Sequence, residues 1–307
     1  MMYPILCKVR YETLHLLAKS RDLWKHLLLS FVVNWILAPL LMVGLAWAFL
    51  PDRPALREGL IFVGIARCIA MVLIWTDLAG GDGDYCAVLV AFNSILQIVL
   101  FAPLAIFYIK IVSRANDAVA VGYRDVAESV AVFLGKLDPL SQRPNTQIDN
   151  DLGIPLGAAI ITRFTLLRLI GPRKYQTYFI RFIAPLSLIG LIFTIIVLFA
   201  SQGKQVVTQI TSVLRVAAPL IAYFAIIFTA TLWVCRRFGF GYRVSCTQSF
   251  TAASNNFELA IAVTVAIYGV NSAQALASTV GPLIEVPVLV GLVYVMKFCK
   301  KRWNWDS

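Results

Sequence analysis

Eight apolar stretches, at residues 26–50, 56–76, 84–112, 152–171, 178–200, 207–235, 243–269 and 275–299, are each long enough to cross a bilayer. A spanning helix needs about 20 such residues. In hydrocarbon every backbone N–H and C=O must find its partner within the protein, so stretches of this kind fold as helices. The sequence therefore predicts an all-α polytopic membrane protein. Composition agrees: the chain of 307 residues is 60% hydrophobic and 14% charged, with a mean hydropathy of +0.79. Soluble domains run near about 45–50% apolar and about 25% charged.

A net charge of +11 raises the question of nucleic acid. The basic residues form no single patch, as a nucleic-acid surface requires, and fall instead in short clusters between apolar runs. Residues 1–25 hold Lys8, Arg10, Lys19, Arg21 and Lys25; 168–181 hold Arg168, Arg173, Lys174 and Arg181; 236–243 hold Arg236, Arg237 and Arg243; 297–302 hold Lys297, Lys300, Lys301 and Arg302. Alternating spans put all four clusters on one side, which the positive-inside rule makes cytoplasmic, with the C-terminus there too. The loop with Asp77, Asp82 and Asp84 shares that side as an acidic exception.

Residues 113–151 are the one long polar stretch and are read as an extramembrane linker. It divides the chain into 1–112, a helix stub plus three spans, and 152–307, five spans with a short tail. Each half contains one apolar segment broken by polar residues: Arg67 and Cys68 within 56–76, and Ser254-Asn-Asn-Phe-Glu258 within 243–269. Paired interruptions in corresponding positions mark inverted-repeat transporters. Superposing the interrupted segments leaves the first half two helices short. The expectation is about eight full spans plus a stub, from a parent plan of ten, with two broken helices that cross.

Intramembrane ionisable residues are functional candidates by default. Glu258 follows Asn255 and Asn256, amides suited to backbone freed by a break. A carboxylate in low dielectric there can carry a proton near neutral pH; the competing reading is a structural carboxylate. Glu285, in Gly281-Pro-Leu-Ile-Glu-Val-Pro287, is either a second proton or substrate group or a local repair of carbonyls freed by the flanking prolines. Cys68 is either a small buried hydrophobe or, beside the Arg67 cation, a thiolate able to touch substrate. Arg67 could pair with a carboxylate or a carbonyl. Asn93 and Gln97, four apart, share a helix face; helix–helix bonding is the leading reading and cavity lining the lesser.

The remaining five cysteines, 7, 86, 235, 246 and 299, show no CxxC spacing and no polar context, and the histidines are His15 and His26. No zinc site, disulfide framework or cofactor is expected. There is no HExxH, GxSxG or triad-like His, so the chain does not read as an enzyme. The opening residues, Met1-Met-Tyr-Pro-Ile-Leu-Cys7, are too short for a signal-peptide core.

Five motifs in order, Met1-Met-Tyr-Pro-Ile-Leu-Cys-Lys-Val-Arg-Tyr-Glu12, Ala66-Arg-Cys-Ile-Ala-Met-Val72, Ala87-Val-Leu-Val-Ala-Phe-Asn-Ser94, Asn255-Asn-Phe-Glu-Leu-Ala-Ile-Ala262 and Gly281-Pro-Leu-Ile-Glu-Val-Pro-Val-Leu289, closely resemble the yeast-type arsenite efflux permeases of the bile-acid/arsenite/riboflavin transporter superfamily. The resemblance implies a ten-helix carrier of the plasma or vacuolar membrane. It implies export of arsenite, and in some members antimonite, in exchange for protons. The essential cysteine of that family falls on Cys68, its essential membrane carboxylate on Glu258, and a second carboxylate on Glu285. Trivalent arsenic is thiophilic, and thiolate is the soft ligand among side chains. A single thiol allows release. The resemblance also implies a helix and a half ahead of Met1. Two alternatives stay open: a sodium-coupled organic-anion carrier of the same superfamily, which would need sodium-coordinating oxygens and no Cys68, and a truncated membrane fragment that does not transport.

Overall fold

A computed structural model describes residues 21–112 apart from Ala70, 153–183 and 207–303, with isolated positions elsewhere, among them Cys7, Val126 and Trp305. The expected stub before residue 21, the linker 113–151 and much of the expected span 178–200 lie outside the described residues.

Among the described residues four helices are long and apolar enough to cross a membrane. The first comprises α1 (Arg21–Phe31) and α2 (Ala38–Phe49), joined through one widened turn at Val32–Leu37. Pro39 lies just beyond that turn. It has no N–H for the Trp35 carbonyl, and its ring crowds that carbonyl, which is a common cause of a widened turn. The others are α5 (Gly83–Ile106, running on to Lys110), α7 (Ile210–Arg237) and α10 (Ala273–Arg302). Helix α6 (Gly153–Lys174) kinks at Gly171, where φ is 76°.

The two interrupted segments are α3 (Pro54–Ile65) with α4 (Val72–Ala79), and α8 (Tyr242–Ala253) with α9 (Phe257–Tyr268). Capping makes several boundaries definite. Asp82 accepts from the Tyr85 N–H at the start of α5, and Ser272 from the Ala275 N–H at the start of α10. Asn256 accepts from the Leu259 N–H, so the second half of the later interruption begins with its own N-cap. Helix α4 ends at Gly80 in the left-handed conformation, φ 76°.

Close approach of α3, α9 and α10 fixes the core around the interruptions. A Cβ on Gly59 would lie 2.4 Å from the Gln274 carbonyl oxygen, and one on Gly281 would lie 1.8 Å from the Phe257 ring. Only a missing side chain lets these backbones meet so closely. Trp75, Phe62, Phe224, Phe228 and Phe250 fill the surrounding interior.

The two ends of the bundle differ. At one, Arg236 lies over the Trp303 ring at 4.0 Å and Lys300 over the Tyr242 ring at 4.7 Å. Gln248 donates to the His26 carbonyl at 2.9 Å on the same side. Lys25, next to His26, thus shares an end with the clusters at 236–243 and 297–302. The acidic loop lies there as well, because Arg243 pairs with Asp82 at 3.4 Å and the Tyr242 hydroxyl donates to the Ala79 carbonyl at 2.6 Å. At the opposite end Arg215 clasps Asp52 through two bonds of 2.8 and 2.6 Å.

A candidate substrate site where two helix breaks pair

Both breaks adopt extended backbone: Ala66 at φ −73°, ψ 113° and Ser254 at φ −104°, ψ 138°. Extended residues release N–H and C=O groups from their helices, and at this depth those groups need partners in the protein. They find them in each other. Arg67 and Asn255 form an isolated antiparallel bridge. The Cys68 N–H donates to the Ser254 carbonyl at 3.3 Å, and the Asn256 N–H donates to the Ala66 carbonyl at 3.1 Å.

Side chains complete the junction. Asn255 Nδ2 donates to the Val63 and Ala66 carbonyls at 2.7 and 3.3 Å, which covers the open C-terminal end of α3. The Arg67 N–H donates to Gln97 Oε1 of α5 at 2.6 Å. The Arg67 guanidinium, fully buried, donates to the Tyr223 hydroxyl at 3.1 Å, to the Ala252 carbonyl at 3.5 Å and to the Gly64 carbonyl. Of the partners left open by the sequence, Arg67 takes carbonyls and a phenol. It spans both breaks and α7 with one planar fork.

Glu285 Oε1 accepts from the Asn255 N–H at 3.2 Å. Helix α10 runs unbroken through Pro282 and Pro287, so this carboxylate does not repair its own helix. It satisfies the break in another one. Glu258 sits in the first turn of α9, one step past the break, and is the one exposed side chain between Thr251 and Ala260. A carboxylate in a first turn is favoured by the positive end of the helix. Cys68, by contrast, is buried within the break itself.

Asn93 Oδ1 accepts from Trp35 Nε1 at 3.1 Å, a bond between α5 and the widened turn after α1. The structure therefore gathers Arg67, Cys68, Asn255, Asn256 and Glu285 at one junction, sets Glu258 at its edge, and gives Asn93 a helix–helix bond. Around the junction, Arg67 Nε, Gln97 Nε2, Asn93 Nδ2, Ser254 Oγ, Asn255 Oδ1 and Asn256 Nδ2 are buried with no hydrogen-bond partner. Buried polar groups of this kind take hydrogen-bond partners from protein or ordered water. Among the described residues no group of three His, Cys, Asp or Glu side chains is placed to hold a metal ion.

Tyr223 was not singled out by the sequence. Its signal is a lone phenol within the apolar run Ala217–Phe228, since a buried tyrosine hydroxyl usually has a partner. Gln97 had been noted with Asn93, but its bond to the Arg67 backbone had not.

Long apolar helices around two interrupted ones, joined at a buried polar junction, are the architecture of a polytopic membrane protein, and the relatives of the chain are transporters rather than enzymes. The chain belongs to the sodium bile acid symporter family, whose model matches residues 1–136 and 148–209. It is 44% identical over 301 residues to the arsenical-resistance protein Acr3 of Corynebacterium glutamicum, covering 96% of this chain and 75% of that one. The arsenical-resistance protein Acr3 of Alkaliphilus metalliredigens is 29% identical over 316 residues, covering 99% and 80%. An uncharacterized transporter of Synechocystis is 31% identical over 324 residues, covering 99% and 77%.

Proposed function

We propose that this chain exports arsenite, and antimonite with it, across the plasma membrane by exchange for protons, and so confers arsenical resistance. The carrying observation is the bond from the Cys68 N–H to the Ser254 carbonyl, which fixes the thiol-bearing residue against the break that precedes Glu258. Cys68 is the soft ligand for As(III), and one thiol in place of three keeps binding reversible. Asn255 and Asn256 supply polar contacts, Glu258 at the open edge exchanges the proton, and Glu285 is the second proton group. Arg67 and Asn93 hold the frame. In this reading residues 1–112 and 152–307 are inverted repeats joined by the linker 113–151, the breaks cross near the midplane, and the basic end with the C-terminus is cytoplasmic.

Everted vesicles containing the chain should accumulate arsenite when a proton gradient is imposed, and a Cys68→Ala variant should not. Accumulation that survives in Cys68→Ala would remove the thiol from the mechanism. A second reading, a sodium-coupled organic-anion carrier, is favoured by the family description itself. Uptake that requires sodium and is indifferent to Cys68→Ala selects it.

A further inference from the structure

The C-terminal ends of two half-helices converge on one side chain. Gly64 lies in the last turn of α3 and Ala252 in the last turn of α8, and both carbonyls accept from the Arg67 guanidinium. The last carbonyls of a helix have no partner within it. Each such end also carries about half a negative charge. Two of them therefore set roughly one unit of negative charge around one fully buried cation. The Tyr223 hydroxyl of α7 adds a third oxygen at 3.1 Å.

Hydrogen bonding alone does not require a charge here. Neutral amides serve the other freed carbonyls: Asn255 Nδ2 covers Val63 and Ala66, the Asn256 N–H also reaches Ala66, and the Cys68 N–H covers Ser254. A full charge at this depth is costly, and it stands only where the two negative helix ends meet. In carriers with broken helices, unwound carbonyls and half-helix C-terminal ends are the groups that coordinate the coupling sodium ion or proton. The Gly64 and Ala252 carbonyls are such groups, and the cation they hold is part of the chain. A guanidinium stays protonated in proteins, so this cation does not switch off.

It does not leave either. The Arg67 N–H donates to Gln97 Oε1 of α5 at 2.6 Å, and the Arg67 backbone bridges to Asn255. Both anchors fix the residue on the break, with its fork reaching α3, α7 and α8 together.

We propose that the Arg67 guanidinium is a tethered cation filling a monovalent-cation site formed by Gly64, Ala252 and Tyr223, so that this chain transports without a sodium ion at the junction. The transport clause rests on the export reading above; the cation site does not. Arg67→Ala removes the tethered charge and leaves the three oxygens. Thermal unfolding of the purified full chain, titrated with guanidinium or sodium against choline at fixed ionic strength, reads the vacated site. Guanidinium, kept far below denaturing concentrations, should raise the Arg67→Ala midpoint saturably by about 3 °C. Midpoints of the wild type and of Arg215→Ala, which loses a surface guanidinium, should not rise. Adding Tyr223→Phe to Arg67→Ala should weaken the response. In proteoliposomes, wild-type arsenite accumulation should be unchanged when choline replaces sodium. An Arg67→Ala midpoint indifferent to both cations overturns the proposal, and so does wild-type transport that requires sodium. If Arg67→Ala does not fold, Arg67→Gln, which keeps much of the stem without the charge, decides by the same titration. A saturable response in a chain whose wild type moves no arsenite leaves the cation site standing and removes the export reading.

Discussion

The carboxylate of Glu285 holds the backbone N–H of Asn255 at 3.2 Å, so a residue of an unbroken helix closes the hydrogen bonding of a broken one. Two demands meet in that single group. It must accept a hydrogen bond to keep the break satisfied, and in the proposed mechanism it must also exchange a proton.

The two demands separate by substitution. Glu285→Gln keeps an acceptor oxygen and should fold with a thermal midpoint close to the wild type, while losing proton-coupled transport. Glu285→Leu leaves a buried N–H without its partner, a cost of about 1–3 kcal/mol, and should melt lower in the same detergent. If Glu285→Gln transports normally, the carboxylate is a structural acceptor and no more.

Arg67 and Tyr223 form the second testable contact. Tyr223→Phe removes the acceptor of the 3.1 Å bond and should cost about 1 kcal/mol. Arg67→Lys gives up the fork that reaches Gly64, Tyr223 and Ala252 together, and should cost more. In a double-mutant cycle the Tyr223→Phe effect should largely vanish once Arg67 is Lys. Strict additivity in thermal unfolding would show that the hydroxyl is not coupled to the guanidinium.

The exposed pair Asp52–Arg215 ties the loop before α3 to the start of α7. The hydrogen bond from Arg215 holds the Asp52 carboxyl below its ordinary value of 3.8. A depressed carboxyl stabilises the folded state above its unfolded value, and that contribution is lost as pH falls through the folded one. Melting followed from neutral pH to about pH 3 should therefore show a small acid-side decline that Asp52→Asn flattens. Added salt should weaken the pair. An identical acid limb in Asp52→Asn would mean the pair contributes nothing to stability.

The breaks were legible because polar residues are costly within apolar runs, and Asn255 does serve freed backbone. What was not legible is whose backbone. Asn255 bonds Val63, 192 positions away, and Arg67 bonds Tyr223 across 156. No local pattern carries such pairings. The prolines beside Glu285 suggested local repair for the same reason: a sequence displays the neighbours of a residue along the chain, and this carboxylate acts across it. Glu258 shows a related limit. Spacing places it on the second half-helix, but its outward face follows from the register in which Asn256 caps that helix.

Gly281 and Phe257 give the sharpest packing prediction. The Phe257 ring, adjacent in sequence to Glu258, rests where a Gly281 side chain would begin, with the nearest ring atoms 1.8 and 2.0 Å from an ideal Cβ. Gly281→Ala must push the ring and the first turn of α9 aside, an overpacking cost of about 1–3 kcal/mol. Because that turn carries Glu258, transport should fall along with the melting temperature. Shrinking the ring should relieve the clash: Gly281→Ala with Phe257→Leu should melt higher and transport better than Gly281→Ala alone, even though Phe257→Leu by itself is destabilising. A double variant no better than the worse single one would show that the close approach of α9 and α10 is not what positions Glu258.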